Sequence, residues 1–350
     1  MSARVTIDGV DVGPDARPYV IAEMSGNHNG SLDRAHEIID AVASAGAQAV
    51  KFQTYTADTM TIRSDAPQFT IRSGHELWGG RSLYDLYDEA HTPWEWHAEL
   101  FDHARRVGVT PFSSPFDATA VEFLESLDAP AYKIASAEII DLPLIRLVAS
   151  TGKPVIISTG MATLGEIDAA VTAATGAGCG QLVLLACTAA YPAAPEGARL
   201  LSIPLLRKAF GMPVGLSDHT TGIGVAVAGV AVGAVAVEKH VTVRRADGGV
   251  DSAFSLEPDE LAALVRETEA ARLAVSPARF GPTEDERDTL ALRRSLYVVA
   301  DVAAGDVVSP ANVRAIRPAG GLPPDAIDRV IGRRFATAVT AGTPVTWDLL

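Results

Sequence analysis

The chain has 350 residues, 48% of them hydrophobic and 21% charged, which supports a large core and about two domains and excludes a disordered chain. Its formal net charge of -14 argues against nucleic acid as the main partner, since that partner selects basic patches. Two cysteines, Cys179 and Cys187, exclude a disulfide scaffold and a zinc knuckle, and both read as buried thiols.

The opening MSARVTIDGV has neither the basic region nor the apolar stretch of a signal peptide. The longest apolar run, Gly222–Val237, stops at Glu238 and is short for a membrane span. A cytoplasmic protein without membrane contact is the expectation.

Along the chain, short apolar runs alternate with amphipathic stretches. Strands are predicted at Tyr19–Glu23, Ala49–Phe52, Val109–Phe112, Ala131–Ile134, Val155–Ile157, Leu182–Ala186, Val214–Leu216 and Val235–Val237. Helices are predicted near Leu32–Ala45, Pro93–Val107, Thr119–Leu127, Leu142–Ser150, Leu164–Thr175, Ile203–Phe210, Gly224–Gly233 and Pro258–Leu273. Thr92-Pro93, Asp117 and Glu257-Pro258 are start signals for three of them. Eight successive βα units predict an α/β fold, a (β/α)8 TIM barrel over residues 1–275. The competing topology is an open doubly wound sheet, which rarely strings eight such units together.

One long insertion, Thr54 to Thr92, separates the second strand from its helix and carries much of the aromatic-rich stretch LWGGRSLYDLYDEAHTPWEWH. A long βα loop on a barrel lies on the catalytic face. A linker is predicted over residues 276–294, with a charged, helical part at Glu284–Arg294. A small β-rich domain follows over residues 295–350. In it VAAGDVVS (Val302–Ser309) recurs as VTAGTPVT (Val339–Thr346), which predicts two similar turn units.

In a βα barrel the carboxyl ends of the strands share one pocket. Those ends carry Glu23, Lys51, Gln53, Ser114, Lys133, Ser136, Glu138 and Ser158 from the first five strands. Tyr191, Ser217, Asp218, His219, Glu238, Lys239 and His240 follow from the last three. Ionisable groups beside apolar strands are expensive to bury unless paired or used, so the set is the candidate site.

Three subsets carry chemistry. Lys51 and Lys133 with Ser114, Ser136, Ser158 and Ser217 make a cationic, hydroxyl-rich wall suited to a phosphate plus a carboxylate. Lysines paired with Glu23 or Glu138, and a Schiff-base lysine at Lys51, Lys133 or Lys239, are the other readings. His219 and His240 end adjacent strands about 4.8 Å apart, close enough to share a divalent ion. An acid/base pair and simple hydrogen-bonded histidines stay open beside that. Glu23, Glu238 and Asp251 are candidates for a general base or for holding sugar hydroxyls, with a plain turn aspartate as the alternative for Asp251. His36, His97 and His103 read as solvated helix residues, while His75 and His91 in the insertion are undecided.

The segments EMSGNHNG, VKFQTYTADT, FSSPFD, AYKIAS, ISTGMATL, CTAAYPA, GLSDHT, EKH and DGGVDSAFSLEP, with a C-terminal antifreeze-like (SAF) domain, resemble the sialic acid synthase family over nearly the whole chain. LWGGRSLYDLYDEAHTPWEWH and RRADGGVDSAFSLEP resemble its pseudaminic acid synthase branch most, ahead of the N-acetylneuraminate and legionaminate branches. The resemblance implies condensation of phosphoenolpyruvate with an amino-sugar aldehyde, here 2,4-diacetamido-2,4,6-trideoxy-altrose, with release of phosphate by C–O cleavage. It implies Mn2+ or Mg2+ held by His219 and His240, and Glu23 as general acid/base. Lys51, Gln53, Ser114, Lys133, Ser136, Ser158 and Ser217 match phosphoenolpyruvate-binding positions, and Tyr191, Glu238 and Asp251 match sugar-binding ones.

Arg317, in AIRPAGG, matches an arginine that reaches the partner's active site, which implies a domain-swapped homodimer. Two features depart from the family pattern. Ala189 stands where a polar residue is usual, which weakens one contact by about 0.5–1.5 kcal/mol. The family's asparagine in the loop after the second strand has no clear match. The aromatic residues Trp78, Tyr84, Tyr87, Trp94 and Trp96 are expected to wall a deoxy, acetylated sugar. A lysine Schiff-base aldolase and a catalytically silent sugar-binding protein are the competing functions.

Overall fold

Eight parallel strands close on themselves in the computed structural model, which describes residues 4–73, 77–275 and 277–350. They run Tyr19–Glu23, Ala49–Thr54, Thr110–Pro115, Tyr132–Ile134, Val155–Ser158, Leu182–Cys187, Val214–Ser217 and Ala236–His240, and the last pairs with the first. His75 and Ser276, both named in the sequence reading, lie outside the described residues. The chain divides into two units, Met1–Ser276 and Pro277–Leu350.

Successive side chains of a strand face opposite sides, and this parity organises the barrel. Tyr19, Ile21, Ala49, Phe112, Ala131, Ile156, Val183, Leu185 and Ala236 belong to an inner core. Their neighbours Val20, Val50, Tyr132, Ile157, Leu184, Leu216 and Val237 pack outward in a larger core shared with the helices. A hairpin, Val5–Ile7 with Val10–Val12, seals the amino-terminal end by adding Val5, Ile7 and Val12 to the inner core. Asp8 and Gly9 both take positive φ in its turn, a backbone match to the twist of a two-residue hairpin. Continuing the inward parity toward the carboxyl ends leads from the apolar plug to the polar strand ends.

All eight predicted helices are present, and side-chain caps define the starts of several. Asp117 accepts from the Thr119 and Ala120 N–H groups, and Thr163 forms a capping box with Glu166. The insertion is more ordered than a loop. It contains helices at Ala57–Met60 and Leu83–Ala90, the second capped by Ser82. The charged bridge after residue 283 holds only a 3-10 turn, Asp288–Leu292, where a longer helix was predicted.

In the second unit, Ser295–Val298 pairs antiparallel with Val313–Ile316. The repeated turns meet each other: Val302 and Val339 exchange backbone hydrogen bonds of 2.9 Å, and Gly305 and Gly342 share φ 90. Leu296, Val298, Val308, Phe335 and Val345 form its core.

His97 corrects the sequence reading. It is 0% exposed, not solvated, because its helix turns that face onto the barrel. One ring nitrogen meets the Thr54 hydroxyl at 2.9 Å and the other the Pro93 carbonyl at 3.1 Å. Burial pushes its pKa down to about 4. The unfolded chain therefore binds this proton first, near pH 6.5, so the stability is present above pH 6.5 and lost as pH falls toward 4. The expected loss is roughly 3 kcal/mol. Thermal unfolding between pH 7.5 and 4.5 checks this: His97→Gln should flatten the fall in Tm, and an unchanged slope would remove His97 from the account.

Candidate active site

At the carboxyl end of the barrel lies a cavity of about 480 Å³. The inward parity delivers its charged floor. Glu23 follows Ile21, Lys51 follows Ala49, Lys133 follows Ala131 and Glu238 follows Ala236, each two residues beyond an inner-core side chain. Register then sets them side by side: Glu23 is level with Lys51, and Glu238 with Ser217.

Lys51 sits between two carboxylates, with Nζ 2.6 Å from Glu23 and 3.2 Å from Glu238. Burial alone lowers its pKa, but Glu23 and Glu238 outweigh it and hold the ammonium charged. Lys133 lies 3.8 Å from Glu238, donates to the Ile134 carbonyl at 3.0 Å, and is brought down to about 8 by burial. Burial works to raise Glu238, yet Lys133 and Lys51 hold it well below the carboxylate range. Burial pushes Glu23 up, against Lys51 and with Glu238. The floor therefore sets two ammonium groups, Lys51 and Lys133, beside Glu23 and Glu238, and these two cations are the groups able to receive an anion.

The hydroxyls divide into two groups. Ser217 donates to Glu238 at 2.9 Å, and Gln53 donates to Glu23 at 3.1 Å. The buried Ser158 hydroxyl has no hydrogen-bond partner among the described residues, while Ser136 accepts from the Gly160 N–H at 3.2 Å. Gly160 is required there: an added Cβ would lie 2.6 Å from the Ser136 oxygen. Ser114 does not reach the cavity. It lies behind Lys51, within 3.5 Å of its ammonium.

Two residues beyond Ser217 and Glu238 stand His219 and His240, with ring centres 5.2 Å apart. The His219 Nδ1 donates to the Thr188 carbonyl at 2.9 Å, which leaves the Nε2 lone pair available. The His240 Nδ1 lacks a hydrogen-bond partner among the described residues and lies 3.5 Å from Asp251. Burial lowers both imidazole pKa values, so both rings are held neutral. These are the residues able to hold a divalent ion, with its other ligands drawn from substrate or water. Among the described residues no group of three or more His, Cys, Asp or Glu has metal-site geometry.

Asp251 accepts from the Ser25 hydroxyl, and burial pushes its carboxyl up to about 6. Tyr191 packs on His219, tilted by 51° with ring centres 4.4 Å apart, and meets Trp78 at 5.9 Å. The insertion helices add an apolar wall of Met60, Leu83, Leu86 and Tyr87. Of the five aromatic residues expected there, Trp78 and Tyr87 line the cavity. Tyr84 instead stacks under Arg63, Trp94 packs on Phe123 and Trp96 on His28.

Two further corrections concern thiols and lysines. Cys187 lines the cavity, 3.9 Å from His219, and is not a core thiol like Cys179. Lys239 faces away from the cavity and pairs with Asp218. Arg317 is exposed in the second unit.

Residues 38–279 match the NeuB family model, and residues 293–350 match the SAF domain. The chain belongs to the NeuB family. It is 40% identical over 328 residues to a pseudaminic acid synthase of Campylobacter jejuni, covering 94% of this chain and 95% of that one. An N,N'-diacetyllegionaminic acid synthase of Legionella pneumophila is 33% identical, covering 94% of each chain. The solved N-acetylneuraminic acid synthetase of Leptospira borgpetersenii superposes with a TM-score of 0.73 at 30% identity, covering 83% of this chain and 96% of that one. NeuB membership and the barrel agree with the resemblance drawn from the motifs. No helix among the described residues is long and apolar enough to cross a membrane.

Proposed function

We propose that the chain is a pseudaminic acid synthase, a cytoplasmic enzyme that condenses phosphoenolpyruvate with 2,4-diacetamido-2,4,6-trideoxy-altrose. The observation that carries the reading is the 40% identity to a pseudaminic acid synthase over 94% of the chain, against 33% for the legionaminic acid synthase. The apolar wall of the insertion supports it, because this sugar lacks the C6 hydroxyl and carries two acetamido methyls.

The reaction joins C3 of phosphoenolpyruvate to the aldehyde carbon, and the aldehyde oxygen takes up a proton. Water adds at C2 and loses one proton, and the C2–O bond to phosphate then breaks as the new C2 hydroxyl gives its remaining proton to the leaving phosphate and becomes the carbonyl. Lys51 and Lys133 bind the phosphate and carboxylate of phosphoenolpyruvate, with Ser136, Ser158 and Gln53 completing the cradle. Glu23, raised by burial and held by Lys51, is the group that exchanges a proton at the reacting centre. Tyr191, Asp251 and Glu238 orient the sugar. A divalent cation such as Mn2+ or Mg2+ on His219 and His240 supplies Lewis acidity to the aldehyde oxygen when bound. Lys51 is a poor Schiff-base nucleophile, because two carboxylates keep it protonated. The active unit is a homodimer in which the partner subunit's Arg317 completes the sugar end of the site.

The test is phosphate release from phosphoenolpyruvate with Mn2+, run with the altro sugar, its manno isomer and N-acetylmannosamine, each with and without chelator. Turnover with the altro sugar alone, lost on chelation, is the expected result. Turnover with another sugar alone would overturn the specificity, and sugar binding without phosphate release would restore the silent-binder reading.

A further inference from the structure

Between the seventh and eighth strands the sheet ladder ends before it reaches the two histidines. Its last paired residues are Ser217 and Glu238, and one more backbone bond of 3.0 Å runs from the Asp218 N–H to the Glu238 carbonyl. One step further in the same register, Asp218 stands beside Lys239. The next step brings His219 beside His240. Parity turns Ser217, His219, Glu238 and His240 toward the cavity, and Asp218 and Lys239 toward the outer side.

On that outer side Asp218 and Lys239 form an ion pair of 3.0 Å, each side chain 1% exposed. Both are tied to the chain just beyond His219. Asp218 accepts from the Thr220 N–H at 3.0 Å, and Lys239 donates to the Thr220 carbonyl. Each histidine is otherwise anchored away from the other: the His219 ring to the Thr188 carbonyl and its own carbonyl to the Ala193 N–H, the His240 carbonyl to the Leu256 N–H, and the following Val241 N–H to the Glu23 carbonyl. Two buried charges are an expensive way to join strands that an apolar pair would join as well. What the pair adds over an apolar one is a fixed distance and direction.

We propose that the Asp218–Lys239 ion pair is a positioning device, which sets the separation of His219 and His240 for a divalent cation where the backbone ladder no longer does. Neither residue lines the cavity, so neither is a catalytic residue. The inference rests on the reading of the two histidines as metal ligands.

The experiment measures Mn2+ affinity by titration of the free-ion electron paramagnetic resonance signal, beside circular dichroism and Tm, in four full-length proteins. The double variant Asp218→Asn/Lys239→Met removes both charges and strands neither. It should fold, and its Mn2+ affinity should fall about 10–100-fold, the usual effect of losing groups that orient metal ligands. Lys239→Arg keeps the pair and should stay within about two-fold of wild type. His240→Ala is the control for the site itself. If it binds Mn2+ as wild type does, the metal-ligand reading fails. If it loses Mn2+ while the folded double variant keeps wild-type affinity, the positioning inference alone is overturned. A double variant that does not fold assigns the pair to the fold and overturns the proposal as well.

Discussion

Lys51→Met should abolish most phosphate release and also destabilise the protein, and the two losses should be separable. The ammonium lies 2.6 Å from Glu23 and 3.2 Å from Glu238 in a fully buried setting. Removing one member of a buried ion pair costs about 3–5 kcal/mol, because the remaining charge has no partner. Glu238 keeps Lys133 and Ser217, so the stranded group is Glu23. Lys51→Met/Glu23→Gln should therefore recover most of the lost stability in urea unfolding. It should recover no activity, since the double variant lacks both the proposed anion-binding cation and the proposed proton-exchanging carboxyl. The single variant should lose roughly 10²–10³-fold in kcat/KM, the scale of one preorganised electrostatic contact. A double variant as unstable as Lys51→Met would mean that Glu23 is not the group Lys51 neutralises. A single variant of normal activity would remove Lys51 from the phosphoenolpyruvate site.

The barrel and most of its floor were legible because two periodicities coincide in this sequence. Apolar runs mark the strands, and the polar residues at their carboxyl ends sit on the inward parity. Parity also explains what was missed. Val183 and Leu185 face the inner core, so Cys187 continues that set into the cavity, although its apolar surroundings suggested burial. Lys239 is the converse case: it follows Val237 onto the outer parity, and position at a strand end alone could not exclude it from the site.

His97 was misread because a polar residue on a helix was taken as solvated, whereas its helix packs that face against Thr54 and Phe52 of the second barrel strand. The hairpin carried an Asp-Gly signal at Asp8-Gly9, but strands of three residues each give almost no alternation to detect. The insertion helix Leu83–Ala90 is eight residues long, and its stability comes from the wall it forms and not from propensity.

Activity should reappear when Arg317→Ala and Lys51→Met subunits are coexpressed, although each homodimer is inactive. If the partner subunit's Arg317 completes each site, a mixed dimer contains one barrel with Lys51 that faces an intact Arg317, and one site lacking both. Random pairing makes about half the dimers mixed, and half of their sites intact, so the mixture should reach about a quarter of wild-type activity. An arginine serving its own barrel predicts a different outcome. Every site in the mixed dimer then lacks one residue or the other, and the mixture stays as inactive as its parents. An Arg317→Ala homodimer of normal activity would remove the arginine from the reaction. The comparison needs equal expression of two differently tagged subunits and purification through both tags. Tandem purification isolates the mixed dimer, whose expected activity then rises to about half that of wild type, since one of its two sites is whole. That doubling follows from symmetry alone, so it separates a swapped arginine from partial recovery through improved folding.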